Sequence, residues 1–249
     1  MRLRVALAER VVSLLVLLVA WEAASRWARS RLFPGPEAVL ATLADEAAHG
    51  GLLHDLGATL ARVAVTFALA MVIGTVLGIA MARSRAIDTL LDSGVVLLLN
   101  LPALVIAVLL YIWLGLTEAA AIGAVTLSKL PTVVVTLREG ARTLDRDLAD
   151  MAKSFDLGVW QTLRHVILPQ LAPFFLVASR TGLALIWKIV LVVELLGRPD
   201  GIGYAIQVFF QLFDVRRLIA YALAFVAVVL VVEWGVLQPL ERRLARWRR

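Results

Sequence analysis

The chain has 249 residues, of which 61% are hydrophobic, and its mean hydropathy is +0.88. Soluble domains contain about 45–50% apolar residues, so this composition excludes an ordinary soluble protein and predicts that lipid covers much of the surface. The net charge of +6 does not indicate nucleic-acid binding, because the Arg residues lie at the ends of apolar runs, and the absence of cysteine excludes disulfides and thiolate metal sites.

The first apolar run predicts a membrane-spanning helix at about residues 11–28, after a basic start at Arg2, Arg4 and Arg10. A cleaved signal peptide is the alternative, since a basic lead and an apolar core also fit one. The spanning helix is favoured because the small-residue cleavage pattern is poor. Removal of the segment would also leave an odd number of spans. Residues 37–48 then predict a short amphipathic helix outside the membrane.

The next two spans are predicted at about residues 58–82 and 93–116. Gly74 and Gly78 have the spacing that lets another helix approach closely, and we favour packing within the subunit over a contact with a second copy. Asn100 and Pro102 interrupt the third span. Two interpretations stay open there: a helix break that lines a solute path, or a packing kink in which a neighbouring helix satisfies Asn100.

The fourth span, at about residues 119–137, contains Lys129. A lysine is too costly to face lipid, so it is expected to face the bundle or to extend toward the cytoplasm. A polar block at residues 138–169 follows, and its apolar residues fall on helical spacing on both sides of Asp156 and Gly158. Because Gly and Asp tolerate positive φ better than most residues, these two predict a turn between two short helices. Pro169 is expected to close the second helix.

The fifth span, at about residues 171–196, has the highest density of ionisable residues among the spans, and the sixth lies at about residues 218–237. Lys188 and Glu194 are six positions apart and point in different directions, so each is expected to pair with another helix. Cations that face a central cavity would suit an anionic solute, and structural pairing is the alternative. The candidate residues for a solute path are Asn100, Arg180, Trp187, Lys188 and Glu194.

The distribution of positive charge predicts the orientation. With both termini in the cytoplasm, the cytoplasmic segments contain 15 of the 25 Lys and Arg residues and the outer segments contain seven. Cytoplasmic segments of membrane proteins carry this excess. The sequence therefore predicts an all-α membrane protein with six transmembrane helices, both termini cytoplasmic, and a cytoplasmic helical segment between spans 4 and 5.

Recognisable catalytic chemistry is missing from the sequence. None of the 16 glycines is followed directly by lysine, so there is no phosphate-binding P-loop. His49, His54 and His165 are scattered and do not have metal-ligand spacing. We therefore predict no catalytic residue and no metal site, and a protein that moves a solute without transforming it.

The block from Asp150 to Pro169 resembles the EAA loop of ABC importer permeases, whose pattern is Glu-Ala-Ala, three residues, Gly, nine residues and Ile-x-Leu-Pro. Asp150-Met151-Ala152 stands at the opening triplet, and Val166-Ile167-Leu168-Pro169 stands at the close. Asp156 occupies the position of the Gly, which is a departure from the pattern. In the branch of permeases for nitrate, sulfonate and taurine, an aromatic residue precedes this position and a Trp follows it by four residues. Phe155 and Trp160 give this chain a similar pattern.

The resemblance implies that residues 1–249 form a single transmembrane permease domain. It also implies that residues 138–169, between spans 4 and 5, contain a cytoplasmic coupling helix that docks on an ATPase. The coupling residues that it implies are Asp150, Ala152, Phe155, Asp156, Leu157, Gly158, Trp160 and Pro169. It implies no cofactor in this chain, because ATP and Mg²⁺ would bind a cytoplasmic ATPase dimer. The other implied partners are membrane lipid, a second permease subunit, identical or homologous, and a periplasmic or lipid-tethered solute-binding protein.

The implied location is the bacterial cytoplasmic (inner) membrane, with several passes. The implied solute is small and polar or anionic, such as nitrate, a sulfonate or taurine. Two alternatives remain open: a secondary transporter or channel that works without an ATPase, and a membrane scaffold that transports nothing.

Overall fold

A computed structural model describes residues 2–239, and every regular element in that range is helical. The helices are α1 Arg2–Ala28, α2 Pro36–Ala48, α3 Leu52–Arg83, α4 Arg85–Asn100, α5 Ala103–Leu114, α6 Glu118–Arg142, α7 Arg146–Ser154, α8 Val159–Thr162, α9 Leu168–Gly197, α10 Ile202–Gln211 and α11 Val215–Val232. Two π-helical turns, Leu163–Ile167 and Glu233–Leu237, follow α8 and α11. The predicted all-α class is confirmed for these residues. The basic residues of the C-terminal tail, from Arg242 onward, lie outside them.

Four helical stretches within the described residues are long and apolar enough to cross a membrane: Leu52–Arg83, Glu118–Arg142, Trp160–Gly197 and Val215–Gly235. The pair α4 and α5 counts as a fifth stretch if it crosses as one broken span. The chain is thus a multi-pass membrane protein.

The predicted third span, residues 93–116, is not one helix. It divides into α4 and α5, whose axes differ by 103°. Leu101 has extended backbone angles, φ −76° and ψ 126°, as a residue before proline prefers, and α5 begins directly after Pro102. Of the two interpretations of this proline, the structure supports the helix break.

α6 is the central helix, and it packs against α3, α4, α5 and α9. Gly74 and Gly78 make the close approach to α3 possible. A methyl group on Gly78 would lie 2.8 Å from the carbonyl oxygen of Val134, and one on Gly74 would lie 2.6 Å from the side chain of Val133. The predicted role of these glycines in packing within the subunit is confirmed.

The directions of the helices follow from these contacts. Gly74 lies beside Val133 and Gly78 beside Leu137, so α3 and α6 run parallel. Gly182 of α9 lies beside Lys129, while Glu194 near the end of α9 binds Arg62 near the start of α3, so α9 runs antiparallel to both. We call the end of the bundle with α7 and α8 the loop end, and the end with α2 and α10 the opposite end.

Candidate functional site

The polar block forms the helix–turn–helix that its pattern predicts. α7 ends at Ser154, and α8 begins at Val159. Asp156 lies in the turn with φ +52°, a left-handed conformation that Asp adopts more readily than most residues with a side chain. The Gln161 Oε1 atom accepts a hydrogen bond from the Gly158 amide at 3.4 Å, which closes the start of α8 as a capping glutamine does.

Pro169 does not end a helix, contrary to the prediction. It is the second residue of α9, and helix continues from Trp160 to Gly197. Proline lacks the amide donor that an interior helical residue needs. The π-helical turn at Leu163–Ile167 precedes it, and such turns change the hydrogen-bonding register within a helix. The proline is therefore accommodated where the polar block joins the long helix.

Apolar side chains of the polar block are exposed at the loop end. The side chains of Phe155 and Trp160 are 74% and 68% exposed, and Leu148 and Met151 of α7 are also exposed. Leu157 is half-buried, and Asp150, Asp156 and Gly158 are exposed. Ala152 lies in α7. The structure thus brings seven of the eight predicted coupling residues together in one helical hairpin with exposed aromatic side chains, and Pro169 lies beyond it in α9.

A hydrogen bond connects this hairpin to the bundle. The Asp145 amide donates to the Gln170 side chain at 2.9 Å, which joins the start of α7 to α9. Arg138, near the end of α6, binds Asp88 at 3.1 Å and Asp92 at 2.6 Å, both in α4. The hairpin is therefore attached to α9, and the ion pairs of Arg138 hold α6 to α4 nearby.

α9 presents a continuous exposed face that is not uniformly apolar. Its exposed residues recur every three or four positions, as one face of a helix requires: Val177, Arg180, Thr181, Leu185, Lys188 and Val192. Arg180 lies 3.7 Å from Glu233, and Lys188 makes no ion pair with a described residue. By contrast, the exposed residues at the centre of α3 are apolar, among them Val65, Leu69, Val72, Ile73 and Val76. Lipid can cover the α3 face, but the two cations on the α9 face require contact with protein or with a water-filled cavity.

Two of the predicted solute-path residues are buried inside the chain. Trp187 packs within the main core cluster and meets the ring of Phe225 edge to face, with centroids 5.7 Å apart. Glu194 is fully buried and binds Arg62 at 2.8 Å and the hydroxyl of Thr59 at 2.9 Å. In this conformation the chain's own helices cover both residues, and Glu194 makes the structural pairing with another helix that was the alternative to a place on a solute path.

Arg62 is the centre of an ion-pair network at the opposite end that the sequence did not reveal. Its guanidinium binds Glu118 at 2.7 Å and Glu194, and also the Asp200 side chain. In the sequence, Arg62 was only one of the seven Lys and Arg residues assigned to the outer segments. The feature that could have indicated the network is the occurrence of Arg62 and Glu194 as lone charges near the ends of two otherwise apolar segments.

The same network fixes the loop between α9 and α10. The amide of Gly203 donates to Glu194 at 2.9 Å, and the amide of Ile202 donates to Thr59 at 2.9 Å. Gly201 has φ +101°, which favours glycine. A methyl group on Gly203 would lie 2.2 Å from the carbonyl oxygen of Leu191. The two glycines therefore allow the loop to fold back onto the buried carboxylate.

Asn100 ends α4 at the break and is exposed. Its amide donates to the carbonyl oxygen of Val96, one turn earlier, at 2.8 Å. The side chain thus satisfies its donor within its own helix, without the partner helix that one of the two interpretations required.

Comparison with known proteins agrees with these features. Residues 70–245 match the family described as binding-protein-dependent transport system inner membrane component. The permease protein SsuC of Escherichia coli (strain K12), whose name refers to aliphatic sulfonates, is 31% identical over 93% of this chain and 88% of its own length. The taurine transport permease TauC of the same organism is 28% identical, over 93% of this chain and 86% of its own length.

A third relative is the nitrate import permease NrtB of Synechocystis sp. (strain ATCC 27184 / PCC 6803 / Kazusa), which is 28% identical over 78% of this chain and 74% of its own length. The family match covers most of the chain, and the relatives align over most of both chains. The protein is therefore a permease subunit of an ABC importer and belongs to the family of inner membrane components of binding-protein-dependent transport systems.

Proposed function

We propose that a separate cytoplasmic ATPase dimer, which binds ATP and Mg²⁺, drives this subunit through the exposed hairpin at the loop end. The carrying observation is the exposure of Phe155 and Trp160 on a hairpin that is braced to α9 by the hydrogen bond between Asp145 and Gln170. Aromatic side chains of this kind commonly supply the anchors at the centre of a protein interface. The bracing lets a movement of the ATPase displace the spanning helices.

The test compares matched aromatic residues at the two ends of the bundle. Phe155→Ala and Trp160→Ala are expected to reduce co-purification of the ATPase from native membranes at least about tenfold, as loss of an interface anchor does. Phe213→Ala and Trp113→Ala are the controls, because these side chains are 74% and 68% exposed but lie away from the hairpin. Equal recovery of the ATPase with all four variants would refute the coupling role.

Six spans with both termini in the cytoplasm are the topology that we propose. Successive long segments alternate in direction: α1 runs toward α2, α3 runs back to the loop end, and α5, α6, α9 and α11 continue the alternation. α1 is helical over 27 residues, enough to cross a hydrocarbon core of about 30 Å. The excess of Lys and Arg at the loop end supports a cytoplasmic location for that end. The membrane is then the bacterial inner membrane.

The solute path in this proposal lies between two permease subunits, against the charged face of α9. Arg180 and Lys188 would attract an anion, and Asn100 would line the path near the break between α4 and α5. The names of SsuC, TauC and NrtB refer to sulfonates, taurine and nitrate, all of which carry an anionic group. A periplasmic or lipid-tethered binding protein would deliver the solute to the opposite end.

A further inference from the structure

Lys129 is buried in the middle of the bundle without a partner. Its side chain is 1% exposed, and its Nζ atom makes no hydrogen bond or ion pair with any residue in the described range. A buried amine normally has a hydrogen-bond acceptor or a counter-charge. The lysine therefore needs an explanation that packing does not supply.

The position of Lys129 along the helices corresponds to the centre of the membrane. It is eleven residues from Glu118 at one end of α6 and thirteen from Arg142 at the other, which is about 16 Å and 20 Å at the rise of an α-helix. It lies beside Gly182, near the middle of α9. Ionisable groups at this depth are rare and usually serve transport, and transporters commonly bind their solutes near the midplane.

The surroundings of Lys129 provide room for its stem but no negative charge. Gly182 lets the stem lie on the backbone of α9, since a methyl group there would be 2.9 Å from Cε, and the ring of Phe67 is close to the same point. The acidic residues of α3, α6 and α9 are confined to the terminal turns of these helices: Asp55, Glu118, Glu139 and Glu194. No protein carboxylate in these helices is therefore placed to neutralise the amine.

A second polar group on the same face of α6 also lacks a partner. Thr126 is three residues before Lys129, so its side chain lies on the same side of the helix. Its hydroxyl is buried and makes no hydrogen bond within residues 2–239. A hydroxyl donor and an ammonium group one turn apart are suited to the oxygens of a small oxyanion.

We propose that Lys129, assisted by Thr126, binds the anionic solute at the middle of the membrane when α9 separates from α6. In this conformation, Gly182 and Phe67 close the site around the end of the Lys129 side chain. This role rests on the proposed import of an anion. It places one anion-binding group inside the subunit, in addition to the two cations on the surface of α9. The ligand class is a small oxyanion, either a sulfonate or nitrate.

Transport and stability of Lys129→Met together separate solute binding from a purely structural role. Replacement of an unpaired buried amine by an apolar side chain of similar length removes a desolvation penalty, so the variant is expected to unfold at an equal or higher temperature in either case. If Lys129 only fills space, the folded variant also transports normally. If Lys129 binds the solute, the folded variant loses transport.

The experiment uses the complex purified with its ATPase and binding protein and reconstituted in proteoliposomes. ATP-driven uptake of nitrate, methanesulfonate and taurine is measured for the wild type, Lys129→Met, Lys129→Arg and Thr126→Val. Lys129→Met is expected to lower uptake of the transported anion at least about tenfold, as loss of a buried charge partner does, with ATPase recovery unchanged. Lys129→Arg is expected to retain more uptake than Lys129→Met, and Thr126→Val is expected to show a smaller loss.

Uptake by Lys129→Met equal to that of the wild type would overturn the role of Lys129 and leave the importer intact. Failure of the wild type to take up any of the three anions with ATP would overturn the proposed solute class and this role together. A second readout is amine labelling, since the chain has only three lysines, Lys129, Lys153 and Lys188. Labelling of Lys129 is expected only during ATP turnover, with protection by the transported anion, and equal labelling at rest would contradict the closed site.

Discussion

Arg62 stabilises one end of the bundle through three carboxylates that come from different segments of the chain. It binds Glu118 at the start of α6, Glu194 at the end of α9, and Asp200 in the following loop. The bidentate contact with Glu118, at 2.7 and 3.0 Å, has the geometry in which guanidinium groups bind carboxylates most strongly. Because Glu194 is fully buried, its charge depends on this partner.

Replacement of Arg62 by Met is expected to destabilise the protein by about 3–5 kcal/mol, because it leaves Glu194 buried without a counter-charge. The measurement is thermal unfolding of the purified protein in detergent. The double variant Arg62→Met/Glu194→Gln should recover part of the loss, since the second substitution removes the uncompensated charge. Arg216→Met is the control, because Arg216 is exposed near the start of α11, and a loss as large as that of Arg62→Met would contradict this account.

At the scale of single residues, the sequence predicted local conformation better than long-range partners. The turn at Asp156 followed from the backbone preferences of the residues that form it, and its φ of +52° agrees with them. Arg62 and Glu194 are 132 positions apart, and periodicity carries no information on which charges meet across that distance. The sequence therefore could not distinguish a buried, paired Glu194 from one that lines a solute path.

At the scale of elements, the seam between α3 and α6 depends on glycines that leave no room for a side chain. Gly78→Ala would bring a methyl group within 2.8 Å of the Val134 carbonyl oxygen and 3.0 Å of the Arg138 amide, and neither backbone atom can move without displacing α6. Overpacking of this kind is expected to cost about 1–3 kcal/mol. Thermal unfolding measures the loss.

Gly57→Ala is the control for this substitution, since Gly57 lies in the same helix and a methyl group there meets nothing within 4 Å. It is expected to be neutral or to stabilise by up to about 1 kcal/mol, because alanine favours the helix over the unfolded chain. Equal destabilisation by both substitutions would contradict the close approach of α3 and α6 as the cause of the loss.

The apolar runs predicted where most helices lie, but their continuity concealed two features. Residues on both sides of Leu101 are apolar, so hydropathy predicted one span where the backbone turns by 103°. Pro169 was predicted as a helix end because proline usually stops a helix, yet the π-helical turn before it lets helix continue into α9. Both prolines were visible in the sequence, but the size of the bend at Leu101 and the π-helical turn before Pro169 depend on the backbone of the folded protein.

At the scale of the whole molecule, the bundle connects two ends with different roles. The network around Arg62 joins α3, α6 and α9 at one end, while Arg138 and Asp88 join α6 to α4 beside the hairpin at the other. Between them lies Lys129, enclosed by α3, α6 and α9. Separation of α9 from α6 at Lys129, as proposed, would therefore pivot on the end that the Arg62 network holds together.

Crosslinking tests the proposed packing of a second permease subunit on the charged face of α9. A photoreactive phenylalanine analogue at Leu185, on this face, is expected to produce a crosslinked product in native membranes. Its mass should be near twice the 27.2 kDa of this chain if the partner is identical, or that of a homologous permease otherwise. The same analogue at Val72, which is exposed on the apolar face of α3, should yield no such product, because lipid covers that face. Crosslinking to a permease from Val72 and not from Leu185 would reverse the assignment of the two faces, with the solute path moved from α9 to α3.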